Sequence, residues 1–477
     1  MHYDLLILGS GSANTIPGPE FEDQSIALVE EGVFGGTCLN VGCIPTKMFV
    51  HTANVARQAK DAARLGIDLR LESVDWPAIR ERIFGRIDPI SAAGKDYRES
   101  SPDNRNLTLY TGHATFVAPK TVQVTLADSP AGTRGQSARE APARTVTVSA
   151  DRVVIATGSR PAMPDVLGLD GVGPLDNASV MRMEELPASL LVFGSGYIAA
   201  EMADVFSALG VEVTVVARSE RMLRHLDADI SRAYTDAVSY RLVTGFQAAF
   251  ATREDGTVRL TGTRDGAEAT LEAEQILVAT GRIPNADTLN PAAAGIAVEG
   301  GRIRADRYQR VLGTDGHALD GVFTLGDVSS PYMLKHVANH EARVVRHNLL
   351  HPEAMVEVNH NAVPAAVFSH PQIATVGMTE EQARQSGADY VVGVQRYADI
   401  AYGWAMEDTT NFCKIIAERG STRILGCHII GPQAPTLIQV IVQAMASGQT
   451  AADIARTQYW IHPAMPELVE NALLQVL

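Results

Sequence analysis

Cysteine is scarce in this sequence. Only Cys38, Cys43, Cys413 and Cys427 occur in 477 residues, too few for the disulfide framework of a secreted domain, and the expected compartment is a reducing cytoplasm. Long apolar runs are missing as well, which excludes a helix that spans a bilayer. Basic residues do not dominate. Forty lysines and arginines stand against 55 carboxylates, and the net charge of −15 disfavours a nucleic-acid backbone as partner. The first residues, MHYDLLILGSGS, have no basic start and run straight into a glycine turn, so they do not read as a signal peptide. What remains is an ordinary soluble composition, 46% hydrophobic and 20% charged, on a chain too long for one core.

Two of the few cysteines lie together in GGTCLNVGCIPTK, Gly35 to Lys47. In a regular helix they would sit roughly 7.5 Å apart along the axis on different faces. A disulfide wants Cα atoms roughly 4.4–6.8 Å apart, so a bridge needs an irregular turn, which Gly42 and Pro45 permit. From Pro45 the alanine-rich TKMFVHTANVARQAK reads as helix, and a cysteine at a helix start can have its pKa lowered to about 3.5–7.5. A zinc half-site is the rival reading, but no second pair lies nearby, and no metal is expected. Two unrelated buried cysteines are the other alternative. A redox pair is favoured in a reducing compartment. Cys413 and Cys427 have no such context and read as core residues.

Two stretches read as dinucleotide loops. LLILGSGSANTIPGPEFEDQSIALVEE sets a strand before Gly9 and Gly11 and ends a second strand at Glu30, a carboxylate suited to a ribose hydroxyl. Asn14 stands where a third glycine is usual, and Pro17, Gly18 and Pro19 interrupt the expected helix. SLLVFGSGYIAAEMADVF is the fuller copy, with Gly194, Gly196 and Ala199 between strand and helix. Its second strand leads to Arg218, Arg221 and Arg224 instead of an acid, and guanidinium groups can fork onto a 2′-phosphate or simply be solvated. VVIATGS and ILVATGR each put a strand before Ala-Thr-Gly, as crossovers between nucleotide domains would. VFTLGDVSS ends a strand at Gly326 and Asp327, where the Asp binds a polyol or caps the helix around His336 to Arg346. Asp128 to Arg144 is low-complexity and reads as an exposed loop. Near the end, QYWIHPAMPELVENALL sets Glu467 five residues after His462, a candidate general acid with its orienting carboxylate, or a packing histidine at a helix start.

In this order the motifs GGTCLNVGCIPTK, GSGYIAAE, ATGRIPN, TLGDV and HPAMPE resemble the pyridine nucleotide-disulfide oxidoreductases, the glutathione reductase family, over essentially the whole chain. FGRIDPI, SSPYMLKHVANHEARVV, AYGWAMEDT and QYWIHPAMPELVENALL are similar to the branch acting on mycothione, the disulfide of mycothiol. The resemblance implies an α/β fold with two Rossmann-like domains, for FAD and NADPH, and a C-terminal α+β dimerisation domain. Residues 1–158 would form the FAD domain, 159–281 the NADPH domain, 282–350 a segment completing the FAD domain, and 351–477 the interface. Implied cofactor contacts are Gly9, Gly11, Ser12, Glu30, Gly36, Thr37, Lys47, His113, Ala114, Thr157, Gly158, Gly326 and Asp327. Further ones are Gly194, Gly196, Tyr197, Ile198, Arg218, Arg224, Gly281 and Arg282, with Tyr197 gating the nicotinamide. The resemblance further implies that Cys43 lies against the flavin and Cys38 faces substrate. Lys47 would pair with Glu201 beside the flavin, and His462 with Glu467 would serve the partner's cysteines in a homodimer. Ala464, where many relatives have threonine, removes no catalytic group. Glutathione reductase and dihydrolipoamide dehydrogenase are the rival enzymes, with Arg218 arguing against the NAD-using second. The mercuric branch lacks support without a C-terminal cysteine pair. A flavin-binding redox sensor would not need His462 with Glu467.

Overall fold

The computed structural model describes residues 1–127 and 144–477, so the expected exposed loop falls, except for Arg144, outside the described residues. The chain divides into two compact units, one of residues 1–45, 81–161 and 282–359, the other of residues 46–80, 162–281 and 360–477.

The first unit is organised by a parallel sheet. His2–Leu8 lies between Ile26–Glu30 and Thr145–Ile155; Leu107–Ala118 flanks the former and Ala318–Thr324 the latter, all in parallel register. LLIL is buried along its whole length, as expected of a strand covered on both faces. One face packs Leu6, Leu8, Ala27 and Val153 among the neighbours of Phe116, and the other packs Leu5, Ile7, Leu28 and Val154 with Phe21 and Val345. Thr121–Leu126 runs antiparallel to the far halves of the two long strands. The Ala-Thr-Gly crossovers emerge side by side, Ser159–Pro161 pairing antiparallel with Arg282–Pro284.

The second unit contains another parallel sheet, in the order Gln275–Val278, Ser189–Phe193, Glu212–Val216, Arg241–Val243. A three-stranded antiparallel sheet over residues 247–273 shares its core. Beyond it comes a five-stranded antiparallel sheet whose middle strand, Ile424–Ile430, is buried at every residue. Helix Glu467–Leu474 buries Leu468, Val469, Ala472 and Leu473 in the same core. Cys413 and Cys427 lie fully buried in this sheet, as core cysteines should. Among the described residues no helix is long and apolar enough to cross a membrane.

Candidate active site

The cysteine segment is a broken helix. Gly36–Asn40 is a short helix and Cys43–Asp61 a longer one of 19 residues. Between them Val41 leaves helical geometry, its N–H bonded to the Thr37 carbonyl at 2.9 Å. Gly42 is required by space: a Cβ there would stand 2.9 Å from the Thr37 oxygen and 3.2 Å from the Cys38 Cα. The chain folds back and Cys43 comes into hydrogen-bonding contact with Cys38, the irregular turn that the spacing demanded. Asn40, to which no motif draws attention, fixes the turn by donating to the Phe34 and Gly36 carbonyls at 2.9 and 3.0 Å. The Cys38 thiol is pushed up because its hydrogen is shared with Cys43, and further by burial, while the Lys335 ammonium pulls the other way. Cys43 opens the long helix, whose macrodipole favours negative charge at that end.

The two glycine loops share one geometry. Gly9 has φ +103° and Gly194 φ +142°; a Cβ on either would meet a carbonyl oxygen of the crossover strand's end, Ala156 at 2.4 Å or Ala279 at 2.2 Å. Gly11, Gly158 and Gly196 instead face open space, with nothing within 4 Å of an added Cβ. Such cradles let the main chain approach a pyrophosphate.

The loops differ in the element that each leads into. After Gly196 comes helix Tyr197–Ala208, whereas after Gly11 the interrupting prolines leave two 3-10 turns, Ser12–Thr15 and Pro19–Phe21. In the first unit Glu30 accepts the Ser10 N–H and hydroxyl at 2.8 and 2.6 Å. The parallel pairing of Leu107–Ala118 with Ile26–Glu30 ends at Thr111, before His113 and Ala114. His113 lies 3.0 Å from both Glu31 and the Thr288 carbonyl. Although burial opposes it, these partners raise the imidazole's affinity for a proton. Ala114 buries its side chain in the core. The Thr157 hydroxyl is buried without a partner, an orphan donor in the expected cofactor contact set. Asp327 accepts the Ser159 hydroxyl at 2.6 Å, and Arg282 donates to the same hydroxyl at 2.8 Å. Gly326 gives its N–H to buried Glu341 at 2.7 Å. Gly36 packs on the first loop, a Cβ there standing 2.8 Å from the Gly11 Cα, with Thr37 the next residue of the same short helix.

In the second unit the loop after Val216 folds back on the glycines, with Leu223 N–H bonded to the Ser195 carbonyl at 2.8 Å and Ser219 Oγ 3.1 Å from Ser195 Oγ. Arg218 and Arg224 are exposed on that loop. Tyr197 and the adjoining Ile198 start the helix, half-buried, and the Tyr197 ring lies 4.9 Å from His225. Burial, helped by Glu201, pushes the Tyr197 hydroxyl up to about 12, while desolvation and then the nearby Arg224 charge lower the His225 imidazole's affinity for a proton. Gly281 has φ +145°, a left-handed position reserved for glycine. Lys47 donates to both Glu201 oxygens at 2.7 Å, and Glu201 also accepts the Phe368 N–H at 2.9 Å. His462 Nδ1 lies 3.1 Å from Glu467 Oε2; the imidazole is 67% exposed and the carboxylate 19%. Tyr459 and Ile461 stand exposed just before it. Among the described residues no cluster of three metal-ligating side chains occurs.

A family model for pyridine nucleotide-disulphide oxidoreductases matches residues 3–342, and one for the dimerisation domain of the same group matches residues 363–473. The chain belongs to the pyridine nucleotide-disulphide oxidoreductase family. It is 48% identical, over 99% of both chains, to a protein named mycothione reductase from Mycobacterium tuberculosis. It is 33% identical to a dihydrolipoyl dehydrogenase from Halobacterium salinarum, over 98% of this chain and 95% of that one. Its fold matches that of the HOCl-induced flavoprotein disulfide reductase RclA from Escherichia coli, with a TM-score of 0.82 at 25% identity over 99% of this chain and 100% of that one.

As a pyridine nucleotide-disulphide oxidoreductase the chain is a redox enzyme that uses FAD and a nicotinamide dinucleotide, and its cysteine pair is the redox centre. The open glycine cradles and the orphan Thr157 hydroxyl fit such ligands. Sequence reasoning missed Lys335, which donates to the Ser12 hydroxyl at 2.9 Å; Ser12 in turn donates to Asn339 at 2.9 Å. It also missed His225. Neither carries a motif, because each acquires its role from a distant or looped-back partner.

Proposed function

We infer that this enzyme is an NADPH-dependent, FAD-containing homodimer that reduces mycothione to mycothiol in the cytoplasm and so maintains thiol balance. The observation that carries the reading is 48% identity over 99% of both chains to the mycobacterial protein of that name. Residues 1–158 with 282–350 are the FAD part, 159–281 the NADPH part and 351–477 the interface, and the cofactor contacts are those of the motifs. Exposed Arg218 and Arg224 beside the second glycine loop support a 2′-phosphate, hence NADPH over NADH.

Bound FAD supplies two-electron transfer between nicotinamide and sulfur. The chain's residues do the rest. Tyr197 covers the nicotinamide site, and the Lys47–Glu201 pair sets a fixed charge at the flavin. Reduction breaks the Cys38–Cys43 bond and leaves a thiolate on Cys43, at the helix start. Cys38 passes its proton to the partner subunit's His462, held by Glu467, and attacks a sulfur of the substrate; the substrate S–S bond breaks, a mixed disulfide forms, and the imidazolium gives that proton to the departing thiolate. Cys43 then attacks Cys38, restoring the bridge and releasing the second thiolate, which takes its proton from solvent. The exposure of His462 alongside Tyr459 and Ile461 supports a surface completed by a second copy.

The test is turnover of the holoenzyme with mycothione, glutathione and lipoamide disulfides, each with NADPH and with NADH. Mycothione with NADPH should give the highest kcat/KM. A higher value for glutathione or lipoamide disulfide would replace this substrate, and a preference for NADH would remove the phosphate role of the arginines.

A further inference from the structure

One extended segment of the second unit has the pattern of a strand but no strand beside it. From Ile67 to Asp75 the chain makes neither turn nor bend. Ile67, Leu69 and Leu71 alternate with Asp68, Arg70 and Glu72, the period-two pattern of a strand half-buried on one face. Yet that face is open: the three apolar residues are 51, 51 and 42% exposed. Asp68 and Arg70 share the other face, 3.6 Å apart, as residues two apart in an extended chain can. Among the described residues none bonds to a main-chain group from Asp68 to Val74. A row of solvent-facing N–H and carbonyl groups that carries bulky apolar side chains is a template for another strand. Bound cofactor does not account for the opening, because no contact implied by the motifs falls between Met48 and Gly112. Charges of one sign would keep a second copy of this segment away. Here the two inner charges are opposite.

We propose that residues 67–71 of two copies pair as antiparallel strands across a two-fold axis at Leu69, a contact of the homodimer additional to residues 351–477. The inference rests on the homodimer reading. A two-fold axis pairs a strand with itself in antiparallel sense, so one residue faces its own copy and the others face one another reciprocally. With Leu69 central, Ile67 faces the partner's Leu71 and Leu71 the partner's Ile67. Asp68 then faces the partner's Arg70, and Arg70 the partner's Asp68. Every apolar residue gains an apolar neighbour and both charges are paired. Moving the centre to Arg70 sets two guanidinium groups face to face, and moving it to Asp68 does the same to two carboxylates. A centre at Leu71 keeps Arg70 opposite the partner's Glu72, but it sets Leu69 against the partner's Ser73 and Ile67 against the partner's Asp75. Facing apolar pairs and opposite charges stabilise antiparallel strands, and facing like charges destabilise them, so the order of side chains selects the Leu69 register.

The experiment is disulfide trapping in the holoenzyme. Facing residues of antiparallel strands have Cα atoms roughly 4.5–5.5 Å apart, within the span of a disulfide, whereas Leu71 and its own copy would lie about 14 Å apart. With copper phenanthroline in air, Leu69→Cys should run as a covalent dimer on a denaturing, non-reducing gel. Its yield should exceed that of Leu71→Cys or wild type by about ten-fold or more. A Leu69→Cys dimer that is not trapped would overturn the proposal and leave the segment to some other partner. Trapping at position 71 equal to or above that at 69 would overturn it too. Charge reversal is the second measurement. Asp68→Arg sets two like-charge contacts in each dimer and should raise the dissociation constant, read by sedimentation on dilution, about ten-fold; adding Arg70→Asp should restore it. No rise, or a rise that the swap does not repair, would overturn the pairing. The substituted side chains are exposed, so folding is not at stake. Failure of the underlying reading looks different: the wild-type enzyme would then sediment as a monomer, whereas failure of the pairing alone leaves a dimer that Leu69→Cys does not trap.

Discussion

An imidazole serves as an acid only when one ring nitrogen is anchored and the other is left to meet substrate. Glu467 anchors Nδ1 of His462 at 3.1 Å, and the exposure of the ring leaves Nε2 accessible. His462→Gln keeps a polar side chain of similar reach but has no proton to lend near neutrality. Stopped-flow measurement should show reduction of the enzyme by NADPH unchanged, while reoxidation by the disulfide slows by about 10²–10⁴-fold. Equal slowing of both halves would remove the acid role. His462 and Glu467 were legible in the sequence because their partnership is local, five residues along one turn. Lys335 was not, since its partner Ser12 is 323 positions away, and no spacing rule connects a helix start to a glycine loop at that range.

At the scale of elements, the redox pair depends on one glycine as much as on two sulfurs. The break between Gly36–Asn40 and Cys43–Asp61 exists because Gly42 can lie against the Thr37 carbonyl. Gly42→Ala should leave both thiols titratable in denaturant, yet slow closure of the Cys38–Cys43 bridge by about ten-fold or more, read as the rate of flavin-linked thiol oxidation in the folded enzyme. Unchanged closure would show that the turn tolerates a side chain. Elements of this kind are readable in sequence when a backbone constraint selects the residue type. Both dinucleotide loops announced themselves through Gly9 and Gly194, whose left-handed φ and carbonyl contacts exclude any side chain. What Pro17 to Pro19 would leave in place of a helix was less legible: proline breaks the hydrogen-bond ladder, but the sequence does not say that short 3-10 turns survive on either side.

At the scale of the molecule, the second unit joins sequence that two family models describe separately, and a buried lysine links the parts. Lys414, 2% exposed in the antiparallel sheet, donates to Asp227 at 2.9 Å and to Asp229 at 2.6 Å and lies 2.6 Å from Glu380. Asp227 is fully buried; it also accepts the Glu380 N–H at 3.0 Å and feels His428, which is opposite Lys414 in register. Burial alone would push the Asp227 carboxyl up. The Glu380 N–H, His428 and Lys414 outweigh that and hold it below the usual carboxylate range. A depressed folded-state pKa means that Asp227 adds stability above its unfolded pKa and loses it as pH falls through the folded value. Lys414→Met removes an ammonium that pairs with Asp227, Asp229 and Glu380, so the Asp227 carboxyl moves up from its depressed value, and the ionised form is penalised at neutral pH and relieved in acid. The variant should lose about 3–5 kcal/mol at about pH 7, the cost of a buried charge left unpaired. The gap to wild type should narrow as pH is lowered to about 4.5, because the variant's carboxyl takes up its proton at a higher pH than the wild type's. Thermal unfolding of both proteins at the two pH values measures the gap. A gap that stays constant or widens in acid would mean that Asp227 is not the group Lys414 neutralises, and that the join between nucleotide-binding and dimerisation sequence is held by packing instead.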